Sequence, residues 1–262
     1  MPASPRVLIS LVKMQIRTRL EYRSALILDW LALMFAYASA YTAIALIVLR
    51  FDEIGGWTWA EMALLLSVHL LSYSVGAAFS FVQFRVLEDV VRLGTFDTLM
   101  VKPISPWVYI AFSGFNIGYT GHVVLALALL AWSASEVSIA WSPGFVFYFV
   151  AALVSAAMIT AAFVTMIGAS ALVWVRSRHL YTIFFGFWEL ARYPLNIFPA
   201  AIQALLIAVI PLAFIAYVPV AVLLGKPVPI LGDWAGPASL AAGPIATLLA
   251  MLYWRWCVRN YQ

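Results

Sequence analysis

The stretch SALILDWLALMFAYASAYTAIALIVL, Ser24–Leu49, decides the class of fold. Asp29 is its single charge. About 20 apolar residues in a helix cross the ~30 Å hydrocarbon core of a bilayer, and a helix satisfies its own backbone groups there. Runs of the same kind recur at Trp59–Val82, Trp107–Trp132, Gly144–Val175 and Ala238–Val258, and another opens near Tyr181. Around them the chain is 65% hydrophobic and 10% charged, whereas soluble domains carry about 45–50% apolar and about 25% charged residues. With a mean hydropathy of +1.00, an ordinary water-soluble fold is excluded. The connections are too short to hold a separate soluble domain.

Residues 1–23 have a different pattern. Arg6, Ser10, Lys13, Arg17 and Glu21 share one helical face, and Leu8, Ile9, Val12 and Ile16 lie opposite. That distribution suits a basic amphipathic helix lying in the membrane interface, with the chain turning inward near Arg19 and Arg23. A single transmembrane domain is expected over 24–262. The apolar run after Ser24 is too long for the core of a cleavable signal peptide, and no small-residue cleavage site follows it. The lone cysteine, Cys257, forbids an internal disulfide. The net charge of +4 reflects cations gathered in cytoplasmic loops, so it does not indicate a nucleic-acid partner. Trp57, Trp59, Trp107, Trp132, Trp141, Trp234, Trp254 and Trp256 fall near the ends of the apolar runs, as interfacial anchors do.

The count of crossings depends on Tyr181–Gly225, which has room for two spans or for one span and a broken, re-entrant segment. Pro194, Pro199, Pro211 and Pro219 punctuate it, and each removes a backbone donor and disfavours a continuous helix. Charge bias points the same way. With six crossings and a cytoplasmic N-terminus, only Arg50, Arg192 and Lys226 of the fifteen Lys and Arg residues fall outside. A seventh crossing would move Arg255 and Arg259 outside, against the positive-inside rule. The expectation is an all-α membrane protein with six transmembrane helices, both termini cytoplasmic, and a re-entrant segment before the sixth.

The most informative polar stretch follows the second run: VQFRVLEDVVRLGTFDTLMVKPISPW, Val82–Trp107. Arg85, Glu88, Asp89 and Arg92 stand at i, i+3, i+4 and i+7, so they share one helical face. Arg85–Asp89 and Glu88–Arg92 form i,i+4 pairs of opposite sign, each contributing a few tenths of a kcal/mol. Gly94 suits the left-handed end of such a helix. Asp97 lies in the short segment beyond it, which Lys102–Pro103 stops. Either this is a solvated helix on the membrane surface or it is an element that receives force from a cytoplasmic partner.

The run EDVVRLGTFDTLMVKPIS, Glu88–Ser105, resembles the first cytoplasmic loop of ABC-2-type permeases. ELARYPLNIFPAAIQALLIAVIPLAFIAYVPVAVLLG, Glu189–Gly225, is similar to the re-entrant segment that this family places before its final span. The resemblance implies a permease subunit of an ATP-driven exporter in the cell membrane, of the small group that acts with a sister permease and a separate ATPase. Two ATPase subunits would dock on Arg85, Glu88, Asp89, Arg92, Gly94, Asp97, Lys102 and Pro103, and the N-terminal helix would lie as an elbow at the interface. An outer gate or re-entrant element would involve Glu189, Arg192, Pro194, Pro199, Pro211, Tyr217 and Pro219. The partner permease is expected to be a distinct homologue, with a second copy of this chain as the alternative. This chain has no G-x-x-x-x-G-K-[ST] loop, so ATP and Mg belong on the partner ATPase and no cofactor or metal is expected on this chain.

Several residues invite other readings. Asp29 and Glu61 lie near span ends, where interfacial hydration lowers their cost. Glu189 and Arg192, three apart, can pair on one helix face as a gate or as a structural ion pair. His69, His122 and His179 form no ligand pattern with a cysteine or carboxylates. Gly168-Ala169-Ser170 lacks the spaced histidine of an intramembrane protease and reads as packing. Gly114, Gly118 and Gly121 have the spacing that lets helices approach closely. A gradient-driven secondary transporter is the main alternative, but such proteins usually carry internal repeats, and none is evident. An intramembrane enzyme would need a nucleophile–base pair, for which the chain offers no candidate.

Overall fold

The computed structural model describes residues 4–139 and 141–261; residues 1–3, 140 and 262, which include the outer ends of the expected 1–23 and 24–262 segments, lie outside the described residues. The described residues form helices α1 (Pro5–Glu21), α2 (Arg23–Phe51), α3 (Trp59–Ala78), α4 (Phe81–Arg85), α5 (Leu87–Arg92), α6 (Asp97–Met100) and α7 (Pro106–Ser113). Then follow α8 (Thr120–Glu136), α9 (Pro143–Ala169), α10 (Ala171–Trp174), α11 (Arg178–Leu190), α12 (Ala200–Ala204), α13 (Tyr217–Leu223) and α14 (Ala235–Arg259).

Helix α3 forms the axis of the bundle. It starts with a capping box, in which the Thr58 hydroxyl accepts from the Glu61 N–H and the Glu61 carboxylate accepts from the Thr58 N–H, so two orphan donors are satisfied at once. From Met62 to Ala78 almost every side chain of α3 is buried, and α2, α8 and α9 pack around it. Helix α14 lies along α9. Where they cross, a Cβ added to Gly243 would sit 2.6 Å from Ser155 Cα. The Ser155 hydroxyl there accepts from the Gly243 N–H (2.9 Å) and donates to the Ser239 carbonyl (2.6 Å). Pro244 follows directly inside α14, so the hydroxyl meets the backbone where proline weakens the ladder.

Among the described residues, five helical stretches are long and apolar enough to cross a membrane: Arg23–Phe51, Trp59–Ala78, Ile117–Glu136, Pro143–Trp174 and Gly232–Arg259. Two expectations need correction. The apolar run Trp107–Trp132 is not one helix. The chain breaks at Gly114–Asn116, where the Asn116 N–H donates to the Ala78 carbonyl (3.0 Å) and its side chain caps Gly118 (2.9 Å). The crossing helix therefore starts at Ile117, and α7 becomes a separate short helix beside α1. The second correction concerns the run opening at Tyr181. Its helix α11 has 13 residues, about 20 Å of rise, which is short of a full span. Six continuous spanning helices are thus not formed among the described residues.

Candidate functional site: the loop after α3 and the proline-broken segment

Helices α4 and α5 are separated by a kink at Val86, so the expected single helical face does not form. Neither expected i,i+4 pair is made. Asp89 pairs with Arg92 (3.1 Å) and with the Arg178 guanidinium. One oxygen of Glu88 accepts from the backbone N–H groups of Ser177 (2.7 Å) and Arg178 (2.9 Å). Arg85 instead lies over the Phe81 ring, 5.6 Å from its centroid. The kink turns the acidic pair toward the start of α11, which carries two amide donors and a cation. Partial burial tends to raise the Glu88 pKa, but the two amide donors and the charges of Arg178 and Arg92 outweigh it, and the carboxyl is held below its ordinary range.

Gly94 takes φ +68°. The Gly94 N–H reaches the Val91 carbonyl and the Thr95 N–H reaches the Val90 carbonyl, each at 3.0 Å, which closes α5 in the left-handed manner that glycine allows. Phe96 then turns inward and is buried against Trp254 (6.4 Å) and Tyr261 (4.9 Å). Leu87 is buried as well. Asp97 opens α6, Lys102 lies 4.6 Å from the centroid of the Tyr109 ring, and Pro103 sits in the turn before α7. Leu93, Met100 and Val101 remain exposed. The loop is thus a folded lobe anchored to α14 by Phe96 and to α11 by two carboxylates. Sequence reasoning missed Phe96, Ser177 and Arg178. A lone aromatic in a polar stretch is a signal for Phe96, but no local pattern reveals a backbone amide ninety residues away.

The proline-broken segment begins at that lobe. Along α11, Trp188 packs on His69 with ring centroids 4.6 Å apart. Glu189 pairs with Arg192 (2.5 Å), and Arg192 lies over the Tyr37 ring at 5.6 Å. Pro194 and Pro199 stand immediately before short helical turns, Leu195–Ile197 and α12. A π-turn, Leu205–Val209, follows; Pro211 then precedes the turn Leu212–Ile215, while Tyr217 and Pro219 fall in the first turn of α13. Each proline sits where its missing N–H breaks no ladder.

The route of this segment is set by three contacts. Asn196 donates to the Gly55 carbonyl (2.6 Å), in the α2–α3 connection. The Ile215 carbonyl lies 3.5 Å from the Ser72 hydroxyl, deep along α3. Lys226 returns to the same connection, meeting the Gly56 carbonyl (2.7 Å) and Glu61 (2.9 Å). The chain therefore runs from the Glu88 end of the bundle to the Gly55 end, dips inward, and comes back to the Gly55 end. Beside the dip, an apolar cavity of about 400 Å³ is lined by Phe163, Met166, Pro211, Phe214, Ile245 and Leu249 among others.

A family model described as ABC-2 family transporter protein matches residues 34–262, most of the chain and both segments just described. The chain belongs to the ABC-2 transporter family. It is a multi-pass membrane protein and a permease subunit of an ABC transporter. No curated protein and no solved structure matches it.

In this permease the three glycines of the third apolar run are distributed over a break. Gly114 closes α7, Gly118 lies in a short turn and Gly121 in α8. A Cβ on Gly114 would overlap the Gln83 side chain, and one on Gly121 would sit 2.9 Å from the Trp30 ring. At Gly118 the nearest atom is Asn116 Oδ1, at 3.0 Å. Close approach at Gly114 and Gly121 thus serves the packing of α4 and α2. The two charges expected near span ends both have a cation nearby: Asp29 is 3.8 Å from Arg19, and Glu61 pairs with Lys226.

Proposed function

We propose that this permease is the membrane subunit of an ATP-driven exporter, acting with ATPase subunits on separate chains that dock on the lobe between α3 and α7. The observation that carries the reading is the lobe itself, a folded element tied to α11 and α14 at one end of the bundle. A lobe that moved freely could not pass force to the bundle. ATP and Mg reside on the partner, and a second permease, a distinct homologue or another copy, completes the path. Six crossings put both termini in the cytoplasm, with Arg178–Ile197 as the fifth crossing and Pro199–Gly225 as a re-entrant hairpin on the outer side. The bonds of Asn196 and Lys226 to neighbouring carbonyls of one connection support that topology. The apolar cavity beside the hairpin suits an amphiphilic substrate.

The test is reconstitution with the cognate ATPase. The expected result is co-purification, with transport that disappears when the phosphate-loop lysine of the ATPase is replaced. Gradient-driven uptake by this chain alone in liposomes would refute the proposal in favour of a secondary transporter.

A further inference from the structure

We propose that Glu88 and Asp89 form a strut that transmits movement of the loop lobe to helix α11, and that they are not part of the surface the ATPase touches. The inference rests on the functional reading above and deepens it. Four observations carry it. Glu88 spends one carboxylate oxygen on two successive amide groups at the start of α11. Those donors are the unsatisfied ones at a helix N-terminus, and Ser177 makes no side-chain cap of its own. The cap is supplied from another loop instead. Asp89 adds the Arg178 guanidinium while holding Arg92, so both carboxylates are engaged at the start of α11.

The connection entering α11 is also strained. Val175, a β-branched residue, takes φ +62°, a region such residues rarely occupy. Such a conformation persists only when its surroundings hold it, and the clamp on Ser177 and Arg178 lies two residues further on. Finally, α11 is continuous from Arg178 to Leu190 and ends among Trp188, Glu189 and Arg192, which meet His69 and Tyr37. A push at its first turn is therefore delivered, through one rigid element, to the part of the bundle where the proline-broken segment begins.

The experiment uses the reconstituted permease–ATPase complex with three variants: Asp89→Arg, Arg178→Asp and the double exchange. ATPase co-purification, ATP hydrolysis and transport are measured on each. Each single exchange is expected to keep the ATPase bound at the wild-type level. Transport per ATP hydrolysed should fall about tenfold, within the range that changes along coupling networks produce, and the double exchange should recover most of it. Glu88→Gln, which keeps the shape of the side chain, should uncouple in the same direction and decides the matter if either charge exchange fails to fold. Unchanged transport in the singles, or no recovery in the double, overturns the strut. So does loss of ATPase binding in the singles, which would make the pair a docking surface. If the wild-type complex itself shows no ATP-driven transport, the functional reading falls and takes the strut with it, an outcome recognisable without any variant.

Discussion

Replacing Gly243 by alanine should loosen the α9–α14 seam, whereas the same change at Gly236, in the first turn of α14, should tighten the helix. At Gly243 the new Cβ would lie 2.6 Å from Ser155 Cα and 2.7 Å from its carbonyl carbon, with the carbonyl oxygen closer still. These are backbone atoms, so no rotamer change relieves the overlap, and the helices must separate toward ordinary contact distance. Overpacking of this kind costs about 1–3 kcal/mol, and a backbone clash belongs at the top of that range. Alanine returns about 1 kcal/mol through helix propensity. The net cost is therefore about 2 kcal/mol, or a fall in Tm of roughly 4–8 °C at roughly 2–4 °C per kcal/mol. At Gly236 the Cβ meets Tyr148 and Val222 only at 4.0 Å, so the propensity gain stands almost alone and Tm should rise by about 2 °C. Cys257, the sole cysteine and buried, provides the assay: a thiol-reactive fluorophore reports the opening of α14 during a thermal ramp in detergent. Equal Tm values for the two variants would refute the close-approach argument.

Glu88 leads to a pH dependence whose sign follows from its lowered pKa. The clamp contributes stability above the ordinary carboxylate pKa of about 4.3 and loses it as pH falls through the lower folded value; hydrogen-exchange protection of the Ser177 and Arg178 amides, taken relative to the intrinsic rate at each pH, should be high at neutral pH and fall in acid. At neutral pH Glu88→Gln should lower that protection as well. Gly94→Val forces a β-branched residue into φ +68° at a cost of order 1–3 kcal/mol; limited proteolysis should then cut the lobe faster, while Gly94→Asn stays close to wild type. In a Cys257→Ser background, Asp52→Cys and Leu93→Cys, both exposed positions, should label from opposite sides of the membrane; labelling from the same side would remove the proposed topology.

The membrane class and four of the helices long and apolar enough to cross a membrane were legible because hydropathy is additive along the chain and needs no knowledge of neighbours. Ser24–Leu49 and Ala238–Val258 became Arg23–Phe51 and Gly232–Arg259 with little change. The run Trp107–Trp132 failed for a reason composition cannot register. Phe115, Ile117 and their neighbours are apolar, but Asn116 ties the chain to the end of α3 and caps the turn that opens the next helix at Ile117. An apolar average conceals one well-placed amide side chain. The prolines between Pro194 and Pro219 marked the breaks correctly because proline acts locally, removing its own donor. What they could not indicate was direction: only the bonds of Asn196 and Lys226 to neighbouring carbonyls reveal that both ends reach one connection.

The loop charges show the same division more sharply. Helical periodicity offers Glu88 and Asp89 the cations three and four residues away, each worth a few tenths of a kcal/mol. The kink at Val86 changes which neighbours are within reach, and for Glu88 the amides at the start of α11 take the place of an exposed guanidinium. A carboxylate takes backbone amides that have no other acceptor over an arginine that water already solvates, because charge-assisted bonds to orphan donors gain more than a screened surface pair. Local pattern thus singled out these carboxylates but assigned them i,i+4 partners that they do not take. Surface charges on a short loop of a membrane protein face two competing demands, contact with a soluble subunit and attachment to the bundle. Where helix ends lie nearby without caps of their own, attachment prevails. On the proposed reading, the ATPase would meet the outward side of the lobe, where Leu93, Met100 and Val101 are exposed, and the carboxylates would carry the load inward.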